Sequence, residues 1–130
     1  MRDELFLGSL YAGLELNVCG AAFPHTVGYI LTEEFGVPHG KACAALMPHL
    51  LMKAKRHSTE RFHELLRLCG ENEVKVIETI KELADVKINA TDEQLTEWCS
   101  RWGDVKNFHN TPGDFTNEEA VEALKEIIAN

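Results

Sequence analysis

Apolar residues recur along most of this chain three and four positions apart, the spacing at which side chains share one face of an α-helix. No run keeps the two-residue alternation of a half-buried strand, so the pattern predicts an all-α fold of about seven helices with no sheet. Val74, Ile77, Ile80, Leu83 and Ala84 form the clearest stripe and set a helix over residues 73–84. Before it, Ser58 or Thr59 caps a helix carrying Phe62, Leu65, Leu66 and Cys69, stopped by Gly70. Thr91 with Gln94, and Thr116 with Glu119, have capping-box spacing. The first box precedes Leu95, Trp98, Cys99 and Trp102; the second precedes Ala120, Val121, Leu124, Ile127 and Ile128. A short connector at 86–90 and a loop at 107–113 separate these elements. No internal repeat, linker or low-complexity tract divides residues 1–130, which read as a single helical domain; an array of small α-hairpins is the alternative architecture.

The N-terminal third is patterned differently. Residues 3–19 mix Gly8, Ser9, Ala12 and Gly13 with Leu5, Phe6, Leu10, Leu14 and Leu16, a helix in which another backbone could come close. So much apolar surface predicts burial on several sides, as in a domain whose upstream partner has been removed. Farther on, residues 39–55 keep helical spacing straight through Pro48, which predicts one long helix kinked at the proline. Its basic end, from Lys53 to His57, suits the negative pole of the helix dipole.

Composition narrows the function classes. At 45% hydrophobic and 26% charged residues the chain is globular rather than disordered. A net charge of −8 argues against nucleic-acid binding, which needs a basic face. Cys19, Cys43, Cys69 and Cys99 make no CxxC pair and read as reduced thiols, which points to the cytoplasm. No signal peptide is apparent, and no stretch approaches the roughly 18 uninterrupted apolar residues of a membrane helix.

The candidate chemistry lies in Pro24–His25 and Pro38–His39. A proline in the first turn costs no hydrogen bond, so each histidine stands where a helix begins. Gly36 offers a left-handed stop between them, giving a helix–turn–helix pair that can aim both imidazoles at one point. The positive pole of a helix N-terminus disfavours imidazolium and keeps the ring in its ligand form. His49 reads as a half-buried structural residue, and His57, His63 and His109 as solvent-facing. Gly28, Gly36 and Gly40 read as close-approach or positive-φ positions. No GxGxxG, Walker or nucleophile-elbow spacing is present.

These words together, Gly20-Ala-Ala-Phe-Pro-His25-x-x-Gly28 and Gly36-Val-Pro-His39-Gly40-Lys-Ala-Cys-Ala followed by Leu46-Met-Pro48, resemble the C-terminal helical domain of iron-containing alcohol dehydrogenases, in the dehydroquinate-synthase-like group. The resemblance is sharp from about Ala12 to Lys55 and loose after Ser58. It implies a metal-dependent, NAD(P)-linked alcohol–aldehyde oxidoreductase in which His25 and His39 supply half the protein ligands of an Fe2+ or Zn2+ ion. The other two, an Asp and a His one turn apart, belong upstream of residue 1, as does the nucleotide-binding domain. Tyr29, one turn past His25, stands where many family members carry a His against the nicotinamide, and is the candidate cofactor contact. The expectation is therefore a chain inactive alone, with weak metal binding through two imidazoles. It would form a homo-oligomer through its first helix or join a separate nucleotide-binding chain, and take a small alcohol or aldehyde if so completed, with no nucleic acid or membrane involved. The alternative is a helical interaction protein or gene fragment with no catalysis.

Overall fold

Three helices here start at a local side-chain cap, and a fourth at one supplied from far along the chain. The computed structural model describes residues 1–129, and these contain eight helices: α1 (Arg2–Cys19), α2 (Phe23–Phe35), α3 (His39–His57), α4 (Thr59–Cys69), α5 (Glu73–Ala84), α6 (Asp92–Cys99), α7 (Lys106–His109) and α8 (Asn117–Lys125). Both capping boxes form: Thr91 and Gln94 exchange side-chain-to-backbone bonds at the start of α6, and Thr116 and Glu119 do so at α8. Asn72 caps α5 by accepting from the Lys75 N–H, a cap the apolar pattern does not reveal. Ser58 precedes α4 without a side-chain bond, and the Thr59 hydroxyl turns back to the Lys55 carbonyl.

Four details depart from the sequence expectation. The loop at 107–113 contains the single turn α7, hence eight helices rather than seven. The last helix stops at Lys125, short of Ile127 and Ile128, because the chain there turns to meet the connector: the Ile88 N–H donates to the Ile127 carbonyl at 3.0 Å, and the Ala129 N–H to the Ile88 carbonyl at 2.8 Å. This is one isolated parallel bridge, and no sheet forms among the described residues. Of the three glycines singled out, only Gly36 has a positive φ; Gly28 and Gly40 are helical, and Gly40 faces open space. Finally, α1 is exposed at every residue rather than buried on several sides, with Phe6 71% and Leu10 50% accessible. Its apolar residues are spread around the helix, so it has no single stripe to lay on the core.

The core lies beneath α2. Phe23, Val27, Ile30 and Leu31 are buried on its inner face against Ala42, Ala45 and Leu46 of α3. Leu95, Trp98 and Cys99 of α6 and Ala120, Ala123 and Leu124 of α8 close the same cluster from the other side. Phe23 stacks on Phe115 at 3.7 Å between ring centroids, and Phe108 packs edge-on against Phe115 at 5.3 Å. α3 runs unbroken through Pro48 and bridges the molecule, touching α2, α4, α5 and α8. Its basic end is not merely a complement to the dipole. Lys53, with a side chain only 13% exposed, bonds both carboxylate oxygens of Glu119 at 2.7 and 2.9 Å and stands over the Phe115 ring, while Lys55 pairs with Glu73.

The N-terminus of α2 is held from a distance. Its cap residue, Ala22, has no side-chain acceptor, and the Phe23 N–H instead donates to the Thr111 hydroxyl at 3.1 Å, across 88 positions. Thr111 is buried and passes its own proton to the Asn107 carbonyl at 2.9 Å. Asn107 donates its amide to the buried Thr26 hydroxyl at 2.9 Å, and Asn110 donates to the carbonyls of Cys19 and Ala21. One polar loop therefore fixes both the end of α1 and the start of α2. Removing the Thr111 hydroxyl leaves a buried N–H without a partner, so Thr111→Val should destabilise the fold by about 1–3 kcal/mol, and Thr111→Ser by clearly less. Urea denaturation of the three proteins checks this; equal stability of the valine variant would contradict it.

Candidate metal centre

Two short-range features bring His25 and His39 to one place. Pro24 sits in the first turn of α2 and puts His25 next in that turn, while His39 is the first residue of α3 behind Pro38. Between the helices Gly36 adopts φ 66°, and the Gly36 and Val37 N–H groups bond back to the Thr32 and Leu31 carbonyls, so the chain reverses within three residues. As a result His39 Nε2 lies 3.3 Å from His25 Nδ1. The rings meet edge to face, with centroids 5.2 Å apart.

A third donor joins them. Cys43, one turn along α3 from His39, places its Sγ 3.5 Å from His39 Nε2. Ligand atoms of His25, His39 and Cys43 all lie within 4.8 Å of one another, and all three residues are half-buried. Cys43 reads in the sequence as a small apolar helical residue, and its i+4 spacing from His39 is the signal that could have marked it. Gly28 of α2 faces it: a Cβ at Gly28 would rest 3.5 Å from the Cys43 sulfur, so the two helices are in plain van der Waals contact across the site.

The electronic state of His39 follows from its other nitrogen. Thr32 Oγ1 donates its single proton to the Gly28 carbonyl at 3.1 Å and lies 3.4 Å from His39 Nδ1. With that proton committed, the hydroxyl accepts, so Nδ1 carries the imidazole hydrogen and Nε2 presents a lone pair towards His25 and Cys43. Burial pulls the His25 pKa below the usual imidazole value, and the neighbouring His39 adds to the effect. Burial also pushes the Cys43 thiol up. Tyr29 stacks on His39 at 4.8 Å between centroids and 22° between planes, with about half its surface exposed. It forms one wall of the site, with its ring shielding the imidazole.

The remaining histidines lie elsewhere. His49 is half-buried, as expected, 3.4 Å from a Glu126 oxygen, and burial lowers its pKa. It lines a separate cleft of ≈ 350 Å³ with Pro48, Lys81, Asp85 and Glu126, which does not reach His25 or His39. His57, His63 and His109 are exposed, and the hydrogen bond that the His109 ring donates to the Asp104 carboxylate raises the pKa of His109. No Asp or Glu joins the three-residue cluster among the described residues. Sequence reasoning also missed Thr32, Asn107 and Thr111, whose importance depends on contacts made only in the fold.

Comparison with known proteins gives the site its context. A family model described as Fe-containing alcohol dehydrogenase family, C-terminal, matches residues 1–128. Among curated proteins, the chain is similar to a 1,3-propanediol dehydrogenase of Klebsiella pneumoniae, 31% identical over 71 residues, covering 55% of this chain and 18% of that one. It is also similar to long-chain-alcohol dehydrogenase 1 of Geobacillus thermodenitrificans, 30% identical over 71 residues with the same coverage of both chains. Among solved structures, an iron-containing alcohol dehydrogenase of Thermotoga maritima superposes with a TM-score of 0.81 at 27% identity, over 97% of this chain and 34% of that one. The matched part thus spans about a fifth of these curated relatives and about a third of the solved chain.

The tautomer is directly measurable. Long-range nitrogen–proton NMR correlations of metal-free protein should show neutral His39 protonated at Nδ1, and Thr32→Val should mix the two tautomers. An Nε2-protonated ring, unchanged by that substitution, would contradict the assignment.

Proposed function

Because the chain belongs to the Fe-containing alcohol dehydrogenase family, we propose that it is the metal- and substrate-binding helical domain of an NAD(P)-linked alcohol–aldehyde oxidoreductase. The observation that carries this reading is the 3.3 Å approach of two imidazole nitrogens from the starts of two helices, with a second residue fixing the tautomer of one of them. The donor set suits Fe2+ or Zn2+, and His25 and His39 would hold the ion. Such an ion, when bound, supplies Lewis-acid polarisation of an alcohol or carbonyl oxygen.

The chain's own residues carry the rest. Burial, with the neighbouring His39, favours the neutral form of His25, the form that donates a lone pair to a metal. Thr32 orients His39, and α2 packs on α3 at Gly28 and Cys43 beside the pair. Tyr29, stacked on His39 with an exposed edge, would face the nicotinamide of NAD(P). The dinucleotide itself requires a further domain or chain, because residues 1–130 contain no phosphate-cradle motif. We place the protein in the cytoplasm on its four free thiols, with a small alcohol or aldehyde as substrate. Among the described residues no single helix is long and apolar enough to cross a membrane; α1 and α2 together have the length but meet at 111°.

On this reading the chain alone oxidises no simple alcohol with NAD or NADP at any metal loading. Mixing it with a family nucleotide-binding chain that carries the Asp and His ligands should produce turnover that His25→Ala abolishes. Clear turnover by the chain alone, or complementation indifferent to His25→Ala, would refute it.

The exposure of α1 favours one further element, an association through that helix with a second copy or with the nucleotide-binding chain. Leu5, Phe6, Leu10 and Leu14 are each half or more exposed, an apolar surface that monomers rarely leave open beyond roughly 300–600 Å². Covering such a patch on two chains is worth roughly 15–30 kcal/mol at ~25 cal/mol per Å² before association costs, which favours a dimer. Sedimentation should therefore show a dimer or larger species, and Leu10→Glu should shift it towards monomer. A monomer at high concentration, unmoved by that change, would count against the association.

A further inference from the structure

We infer that Cys43 is a third metal ligand, so that His25, His39 and Cys43 form a tetrahedral site in this chain that takes zinc in preference to iron. The inference rests on the proposed ligation by His25 and His39 and adds a residue to which nothing else assigns a role.

Three observations converge. The first is position: Cys43 follows His39 by one helical turn, so its sulfur is on the His39 face of α3, within the same 4.8 Å cluster. The second is edge length. Zinc bonds of about 2.0–2.1 Å to nitrogen and about 2.3 Å to sulfur, at tetrahedral angles, separate two nitrogens by roughly 3.3–3.4 Å and a nitrogen from a sulfur by roughly 3.5–3.6 Å. The distances here are 3.3 Å from His25 Nδ1 to His39 Nε2 and 3.5 Å from His39 Nε2 to Cys43 Sγ, and the third edge, from His25 to Cys43, lies within 4.8 Å. The third is access: Gly28 presents no side chain to the sulfur, and Cys43 is half-buried rather than sealed in the core as Cys99 is.

The chemistry favours zinc. One thiolate and two imidazoles are a borderline-soft donor set, for which zinc stands above ferrous iron in intrinsic affinity. Binding forms a zinc–sulfur bond and releases the Cys43 thiol proton to solvent, with no change in oxidation state. In this chain taken alone, three protein ligands leave the fourth tetrahedral position open to water, a substrate oxygen or a ligand from a completing chain.

Cobalt(II) reports on the ligands without any need for turnover. Titrating the full chain with cobalt chloride alone should give the intense visible bands of a tetrahedral site, together with the near-ultraviolet thiolate-to-cobalt charge-transfer band. Cys43→Ser should lose the charge-transfer band while Cys69→Ser, at an exposed thiol, keeps it. Zinc should displace cobalt from the wild type, and Cys43→Ser should weaken zinc by more than the roughly 10–100-fold that loss of an outer-shell partner costs. If Cys43→Ser unfolds the chain, cadmium NMR of the wild type still decides, since a thiolate ligand moves the resonance strongly downfield. Cobalt binding that His25→Ala or His39→Ala removes, without a thiolate band, would overturn the role of Cys43 and leave the histidine pair standing. Absence of binding, or binding indifferent to both histidine substitutions, would overturn the pair and the inference together.

Discussion

A helix that begins behind an alanine cannot satisfy its first N–H groups from its own cap. α2 is such a helix, and the hydroxyl of Thr111 replaces the missing cap from the other end of the chain. The consequence is positional. Fixing the Phe23 N–H to Thr111, and Thr26 to Asn107, sets the angle of the turn that carries His25. The interior face of the same turn buries Phe23 on Phe115, so polar and apolar contacts hold it at once. The loop thus controls the geometry of a centre it does not touch.

The second half of that geometry comes from α3. Its long run past Pro48 is packed on four neighbours, so His39 and Cys43 are presented from the most constrained element in the molecule. Proline at 48 removes the N–H that the Ala44 carbonyl would otherwise accept, yet the helix persists because Ala45, Leu46 and Leu51 are buried on both sides of it. Lys53 and Glu119 then tie the far end of α3 to the first turn of α8. Against this rigid bar, the Gly36 turn has only to reverse the chain, and the two histidines meet.

Much of this was legible in the sequence, and the gaps have physical causes. Periodicity and capping chemistry marked the helices, because stripes such as Val74–Ile77–Ile80 and boxes such as Thr91–Gln94 are local. The Pro-His pairs marked the site for the same reason. Cys43 was passed over because a cysteine in an apolar helix looks like any small core residue until a neighbouring helix places an imidazole beside it. The Thr111 and Asn107 bonds span more than eighty positions and leave no local trace. The exposure of α1 inverted the expected burial, since an all-round apolar helix says that a cover is needed without saying which element provides it. The parallel bridge at Ile88 and Ile128 was hidden because both segments resemble ordinary apolar connectors.

The central claim is that the packing of α2 on α3 preorganises one metal-ligating point from residues 25, 39 and 43. Anomalous scattering from zinc-soaked crystals of the chain tests it most directly. The account predicts a single strong zinc peak within bonding distance of His25 Nδ1, His39 Nε2 and Cys43 Sγ, at about 2.0–2.1 Å from the nitrogens and about 2.3 Å from the sulfur. A peak bound at His49 or at surface carboxylates, with the space between His25 and His39 empty, would contradict it.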